Sequence, residues 1–396
     1  MIIIEKNQCC GCSACYNICP QKCIIMKEDI EGFLYPQIDK INCINCGLCK
    51  RVCPEKNKYK VSHKQKGYVI RAKDTDVLYN STSGGFFTPL AEYVLRNNGV
   101  VCAAGYSEQF YIEHQIVFNK TQLSELRGSK YVQSNLEDSF IKIRDFLKQG
   151  KFVLFCGTPC QVQGLKKFLQ ANDRKKLITV DMVCKGVASP KLWRSYLEYQ
   201  ENVHQSKICS VNFRKKNRGY HSPDMELKFV NGDIYSKSGT DYFIRCYTRE
   251  ICSRPSCYHC SFKGIQRCSD FTIFDSWNAD KIIGNLKDDD KGYTNLIIHS
   301  EKGEKLFQQI QDNYYIYSVN IKNAALYDGV MITYQAIAHK KRKEFFQIMN
   351  KFGLEKTIDL YVPILWKEKL KERAKSFLYQ LGLLQICKKL IKNSKL

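Results

Sequence analysis

A chain of 396 residues with 44% hydrophobic residues and a formal net charge of +23 can bury a substantial core and build a small module plus one or two larger domains. It has no apolar run long enough to span a bilayer, and charge follows Met1-Ile2-Ile3-Ile4 too soon for a secretory signal, so a cytoplasmic location is expected. Twenty-one cysteines would mean disulfides in a secreted protein, but their spacing here is that of metal ligands assembled in a reducing compartment.

The spacing C-x2-C-x2-C-x3-C-P occurs twice, at Cys9, Cys12, Cys15, Cys19 and Pro20, and again at Cys43, Cys46, Cys49, Cys53 and Pro54. Bacterial ferredoxins that hold two 4Fe–4S clusters use this run. Three thiolates two residues apart wrap three corners of one cubane, and the fourth reaches the other cluster. The expected ligand sets are therefore Cys9, Cys12, Cys15 and Cys53 for one cluster, and Cys43, Cys46, Cys49 and Cys19 for the second. Each proline ends the local helix after its crossing cysteine. Zinc is the competing reading, but its usual pattern pairs two short cysteine motifs rather than three close cysteines plus a fourth. Cys10 and Cys23 are left over and read as core or loop cysteines.

Residues 1–58 thus form an α+β ferredoxin-like two-cluster module, and the lysine-rich stretch Lys56–Lys66 reads as a linker. A strand is expected at Tyr68–Ala72. Ser83-Gly84-Gly85 then leads into a helix from about Leu90 to Arg96. Small residues before a helix N-terminus can turn backbone N–H groups toward an anion, although plain capping has the same signature. Strands are expected at Val100–Ala104 and Ile112–Phe118. The loop Gly128–Ser134 precedes an amphipathic helix over Leu136–Leu147. Phe152–Phe155 reads as a strand running into Cys156-Gly157-Thr158-Pro159-Cys160, followed by a helix to about Leu169 and a strand over Leu177–Val183. Such alternation predicts an α/β domain with a mixed, centrally parallel sheet over 67–335, and Cys160 and Cys184 follow strand ends where such sheets build sites.

Further on come a helix at Pro190–Gln200, a strand at Val211–Arg214, and a hairpin of Met225–Val230 and Ile234–Ser236 around Asn231-Gly232-Asp233. Cys257 and Cys260 form a C-x2-C that alone fits zinc, a redox dithiol or half a cluster site. Residues 336–396 read as a basic helical tail, with apolar residues at helical spacing over Leu365–Ile391. Such a helix docks on a membrane surface or a partner, or packs on its own domain with a solvated lysine face.

Taken in order, several motifs together are recognisable. They are Ser81–Thr88, Gly128–Ser134, Phe155–Lys166, Asp181–Cys184, Ser189–Trp193, Asn212–Arg214, Ser256–Lys263, Arg267–Asp270 and Asp275–Trp277. With the ferredoxin runs, they make the chain resemble the coenzyme F-420 hydrogenase/dehydrogenase beta-subunit family, in its bacterial form with an N-terminal two-cluster domain. The resemblance implies that 67–335 is a flavin-binding catalytic domain in which FAD is held by Ser83, Gly84, Gly85 and the loop that carries Ser129, Lys130 and Ser134. It also implies a third 4Fe–4S cluster on Cys160, Cys184, Cys257 and Cys260, with Cys156, Cys252 and Cys268 as alternative fourth ligands. Two departures stand out: Cys184-Lys185-Gly186 replaces Cys-His-Gly, and Asp275-Ser276-Trp277-Asn278 replaces Asp-Phe-Trp-Gly. Lys185 would have to supply the proton that the histidine gives in relatives, with Lys130 beside the reduced flavin as the second catalytic candidate. Use of the deazaflavin coenzyme is therefore not carried over.

Three clusters, each with about two negative charges, still leave a net charge of roughly +17. No nucleic-acid-binding motif accompanies that charge, so an acidic ferredoxin-like donor is the expected partner, with contact between the tail and a membrane surface as a further expectation. The expected function is an iron–sulfur flavoprotein oxidoreductase that passes electrons from such a donor to FAD and on to an organic or sugar-linked acceptor in surface-polysaccharide assembly. Its rival is a non-catalytic electron-transfer subunit that serves a partner enzyme.

Overall fold

The computed structural model describes residues 4–57, 64–384 and 386–388, so most of the linker after Lys56 and the end of the tail helix, Ile391 included, lie outside the described residues. The chain divides into two compact units, one of residues 1–191 and 253–337, the other of 192–252 and 338–396. Residues 192–252, read from sequence as part of the middle domain, thus belong with the tail. Among the described residues no helix is long and apolar enough to cross a membrane.

In the first unit, the cysteine-rich module pairs strand β1 (Ile24–Glu28) with β2 (Leu34–Ile38) in an antiparallel hairpin. Two one-turn helices, Ala14–Ile18 and Leu48–Val52, each begin after a left-handed residue, Ser13 at φ 56° and Gly47 at φ 75°. Both end on an extended cysteine, Cys19 and Cys53, because the following Pro20 and Pro54 cannot continue a helix.

The body of this unit is built on β3 (Lys66–Ala72), β4 (Val100–Tyr106), β5 (Ile112–Val117), β6 (Val153–Gly157) and β7 (Leu177–Met182). The second unit contributes β8 (Ile208–Lys215), β9 (Asp224–Phe229) and β10 (Ile234–Lys237), and the chain then returns with β11 (Phe271–Asp275), β12 (Thr294–Ile298) and β13 (Tyr314–Ser318). The large sheet has the order β13-β3-β12-β11-β7-β6-β4-β5. Its centre, β11-β7-β6-β4, is parallel, and the flanking pairs are antiparallel. β6 is buried along its whole length, which explains its near-continuous apolar sequence. The fold is therefore mixed α/β with a large mixed sheet behind an iron–sulfur module.

Local differences from the sequence reading have local causes. The helix expected from Leu136 starts at Ser139, because Asn135 still bridges Glu113 and its N–H donates to Ile112 O. The helix expected from Leu90 starts at Phe87, with Pro89 tolerated in its first turn.

The second unit has its own three-stranded antiparallel sheet, β10-β9-β8, with the Asn231-Gly232 turn between β9 and β10. Trp193, Tyr196, Phe213 and Phe243 form its aromatic core, with ring centroids 4.8–5.4 Å from Trp193. The last helix, Trp366–Gln380, is held by acids on one side: Glu368 pairs with Arg245 at 2.8 Å, and Glu372 pairs with Arg218. Trp366, Leu370 and Phe377 are exposed on this lysine-rich helix.

Candidate functional site

Cysteine sulfurs ring three separate hollows in the first unit. The outer one is lined by Cys19, Cys23, Cys43, Cys46 and Cys49, and the inner one by Cys9, Cys10, Cys12, Cys15 and Cys53. Cys46 is exposed and Cys43 half-buried, whereas Cys9, Cys12, Cys15 and Cys53 are all buried. Of the two crossing cysteines, Cys19 lines the hollow of the second triplet and Cys53 that of the first. Cys23, read as a spare, also faces the outer hollow, with its sulfur 3.4 Å from that of Cys19. Among the described residues no three His, Cys, Asp or Glu side chains converge tightly enough for a lone metal ion. The sulfurs surround space instead of meeting at a point, and soft thiolates around a hollow fit an iron–sulfur cluster.

The third hollow lies beyond the C-terminal ends of β6 and β7. It is lined by Cys160, Cys184, Cys257, Cys260 and Cys10, with Lys185, Lys263 and Arg267 at its wall. Its volume, mouth included, is about 610 Å³, against about 360 and 330 Å³ for the other two. Cys160 sits in the first turn of the helix Pro159–Phe168, which is capped by Gln161 Oε1 accepting from the Thr158 N–H at 2.9 Å. Cys184 follows β7, and Cys257 lies on the short turn Pro255–His259. Burial pushes the Cys257 thiol up to about 12 and raises Cys184 as well, so loading this site releases protons. Lys263 Nζ donates to Cys184 O at 2.8 Å, and its burial lowers its pKa. Of the alternative ligands, Cys156 and Cys268 do not line the hollow, and Cys252 belongs to the second unit.

The cysteine-rich module is fixed to the sheet by buried polar contacts. Arg254 is 0% exposed. Its Nε donates to Cys9 O at 2.7 Å, Nη1 to Gln133 Oε1 at 2.7 Å and Nη2 to Leu34 O at 2.9 Å, and its guanidinium lies 4.2 Å from the Tyr35 ring. Asn17 Nδ2 donates to Glu137 O at 2.8 Å. Gly164 lets the helix press on Cys12, since a Cβ there would meet the Cys12 sulfur at 2.9 Å.

The two segments expected to hold a flavin do meet: Thr82 Oγ1 accepts from the N–H of Ser129 at 2.9 Å. Within them, Gly84 has a different task. Its N–H donates to Thr294 Oγ1 at 2.8 Å, and a Cβ would lie 2.5 Å from Ile70 O, so the glycine serves close packing and its N–H is not offered to an anion. Ser83 Oγ lies 2.7 Å from the same Thr294 hydroxyl, and Ser134 Oγ accepts from Gln161 Nε2 at 2.9 Å. Gly85 has φ +87° and makes the turn into the helix. Lys130 Nζ donates to Arg127 O at 3.0 Å and lies 4.9 Å from the Tyr106 ring centroid, and burial lowers its pKa to about 7. His114 stacks on Phe155, and its Nε2 lies 3.2 Å from Cys156 O. Among the described residues its buried Nδ1 has no hydrogen-bond partner, and burial lowers its pKa to about 4. Lys185, in contrast, is at the wall of the third hollow, whose lining does not include Lys130.

Residues 8–57 match the 4Fe-4S dicluster domain, residues 68–140 the N-terminal region of the coenzyme F420 hydrogenase/dehydrogenase beta subunit, and residues 150–324 its C terminus. The chain belongs to that beta-subunit family. Over 326 residues it is 20% identical to a subunit of the F(420)H(2) dehydrogenase of Methanosarcina mazei, covering 78% of this chain and 84% of that one. It is 26% identical over 329 residues to the coenzyme F420-dependent sulfite reductase of Methanocaldococcus jannaschii, covering 78% of this chain but 47% of the relative. Among solved structures, it is similar to a chain of the F420-reducing [NiFe] hydrogenase complex from Methanosarcina barkeri, at 16% identity and a TM-score of 0.45, covering 75% of this chain and 96% of that one.

Sequence reasoning passed over Cys10, Cys23, Arg254 and His114. The Cys9-Cys10 doublet was the signal available for Cys10. A single arginine or histidine within an ordinary loop or strand carries no such signal.

Proposed function

We propose that this chain is an electron-transfer subunit of its family, which takes electrons at the exposed outer site and delivers them, at the strand ends of the large sheet, to a partner enzyme. The observation that carries this reading is the adjacency of the sites: Cys10 lines both the inner ferredoxin hollow and the third hollow. When bound, 4Fe–4S clusters supply one-electron transfer over a wide range of potentials. The chain supplies thiolate ligands, burial of the inner site and fixed spacing through Arg254. Basic groups at Lys185, Lys263 and Arg267 offset the negative charge of a thiolate-bound cluster. Two relatives of similar coverage are named as subunits, one of an F(420)H(2) dehydrogenase and one, the beta subunit, of a coenzyme F420 hydrogenase, which supports a role beside partner chains.

Anaerobic purification with iron and acid-labile sulfide analysis tests the proposal. About twelve of each per chain are expected for three four-iron clusters. Cys257→Ser with Cys260→Ser should remove about four iron and leave the ferredoxin signals in place. Unchanged iron in that double variant would refute the third site.

A second reading, a flavin-dependent reductase acting on an organic or sugar-linked acceptor, is favoured by one specific feature. Among the described residues His114 Nδ1 is buried without a partner, and Lys130, with its lowered pKa, lies in the same neighbourhood. A bound group with a polar edge would satisfy His114 Nδ1. In this reading Ser83, Gly85, Ser129 and Ser134 shape the cradle, while Lys185 is the candidate proton donor. FAD per cluster iron, measured in the wild type and in Lys130→Ala, distinguishes the readings. Stoichiometric FAD supports the reductase, and its absence from a fully iron-loaded chain leaves the electron-transfer subunit.

A further inference from the structure

The last helix, Trp366–Gln380, is fixed to its own unit through its acids. Glu368 caps the helix start, its Oε2 accepting from the Leu365 N–H at 2.8 Å. It also takes a forked pair from Arg245, Nη2 to Oε2 at 2.8 Å and Nη1 to Oε1 at 3.1 Å. Arg245 is 4% exposed and is itself held by donating from Nε to Val362 O at 2.6 Å. One turn on, Glu372 pairs with the buried Arg218 and accepts from the Ser238 N–H at 3.4 Å. These glutamates are the only acids of the helix, so none is left for its outer face.

That outer face is apolar with a basic border. Trp366, Leu370 and Phe377 are 69%, 58% and 60% exposed, and at 3.6 residues per turn they fall within about 40° of one another, opposite the two glutamates. Leu381, just past the helix end, extends the stripe. Exposed Lys367 and Lys371 border it on one side, Lys369 and Arg373 on the other. A helix that packed by hydrophobicity would bury the stripe and leave its charges in water. Here the acids go inward, and the apolar and basic groups go outward.

We infer that this helix lies flat on a bilayer that carries anionic lipids. Trp366, Leu370 and Phe377 enter the headgroup boundary, and the lysines meet the lipid phosphates. At about 22 Å the helix is shorter than a hydrocarbon core of about 30 Å, so it lies in the plane and does not span. Charge complementarity selects the occupant. A face with four cations and no acid is repelled by its own copy and drawn to a surface of repeating negative charge.

The test uses the full chain, purified anaerobically, and vesicles of phosphatidylglycerol and phosphatidylcholine in equal parts, with pure phosphatidylcholine vesicles as the neutral comparison. Co-sedimentation should capture the chain on the anionic vesicles alone, and capture should weaken as salt rises from about 0.1 to about 1 M. A blue shift of tryptophan emission should accompany binding and vanish in Trp366→Phe, which keeps an aromatic anchor and still binds. Trp366→Glu with Phe377→Glu should weaken binding about tenfold or more. Replacing Lys367, Lys369 and Lys371 by glutamine should weaken it about a hundredfold, or about fivefold per lysine. Both sets alter exposed side chains, so iron content and far-ultraviolet dichroism should match wild type. Equal capture by neutral vesicles, no capture by either, or full capture of the double glutamate variant would each overturn the inference. So would a wild-type dimer in sedimentation velocity that the double variant makes monomeric, since the face would then belong to a second copy.

Discussion

Arg254→Ala should loosen the cysteine-rich module from the sheet. As a charged donor the side chain makes three hydrogen bonds to oxygen, to Cys9 O, Gln133 Oε1 and Leu34 O, and a longer one to Cys9 Sγ at 3.6 Å, and it packs on the Tyr35 ring. Bonds to a charged group contribute about 1.5–3 kcal/mol each, and buried acceptors left unpaired add a desolvation cost. Simple addition overshoots because the three bonds share one rigid fork, so a loss of about 4 kcal/mol is the working figure. With a urea slope of about 2 kcal/mol/M, the midpoint for loss of cluster absorbance should fall by about 2 M. Arg254→Lys should recover little, since one ammonium does not span three acceptors in a plane. The assay follows visible absorbance and far-ultraviolet dichroism together under anaerobic conditions. In Arg254→Ala the visible signal should be lost well before the sheet unfolds. Coincident transitions with an unmoved midpoint would refute the idea that Arg254 fastens the module.

Lys130 has a pKa of about 7 against 10.5 for an ordinary lysine, so between those values the unfolded chain holds a proton that the folded one lacks. Stability should therefore rise with pH from about 7 to 10.5, and Lys130→Met should flatten that rise in urea titrations at several pH values. Gly84→Ala should sharply lower folded yield, because its Cβ would lie 2.5 Å from Ile70 O; soluble, fully iron-loaded protein would contradict the packing role. Reduction by an acidic ferredoxin should slow markedly between about 0.1 and 1 M salt, as the screening length falls from about 10 to about 3 Å. Stopped-flow rates that are flat over that range would leave the charge of +23 to some other partner.

The ferredoxin runs were legible because ligand spacing is a local property: a cubane fixes how far apart its cysteines lie along the chain. The parallel centre of the sheet was legible for a similar reason, since β6 and β7 are short apolar runs separated by a helix. The third site was harder. Its four cysteines extend from Cys160 to Cys260, and only a family resemblance grouped them before the fold did. Gly84 shows where local pattern misleads. Two glycines before a helix look the same whether the N–H faces an anion or a packed hydroxyl, and the deciding Thr294 is 210 residues away. Arg254 was invisible for the same reason: its partners Cys9, Gln133 and Leu34 lie 245, 121 and 220 residues from it in sequence.

A ferredoxin on a loose tether works like a ferry, able to visit several berths at the cost of travel time. The module here is moored. Arg254, Asn17 and the contact of Gly164 with Cys12 hold its inner face against the sheet and leave Cys46 facing outward. Under the proposed role, an electron donor meets the module at the one rim that carries the exposed Cys46. A change of electron donor would be accommodated on the exposed rim around Ile41, Ile44 and Cys46, with the buried wiring left untouched.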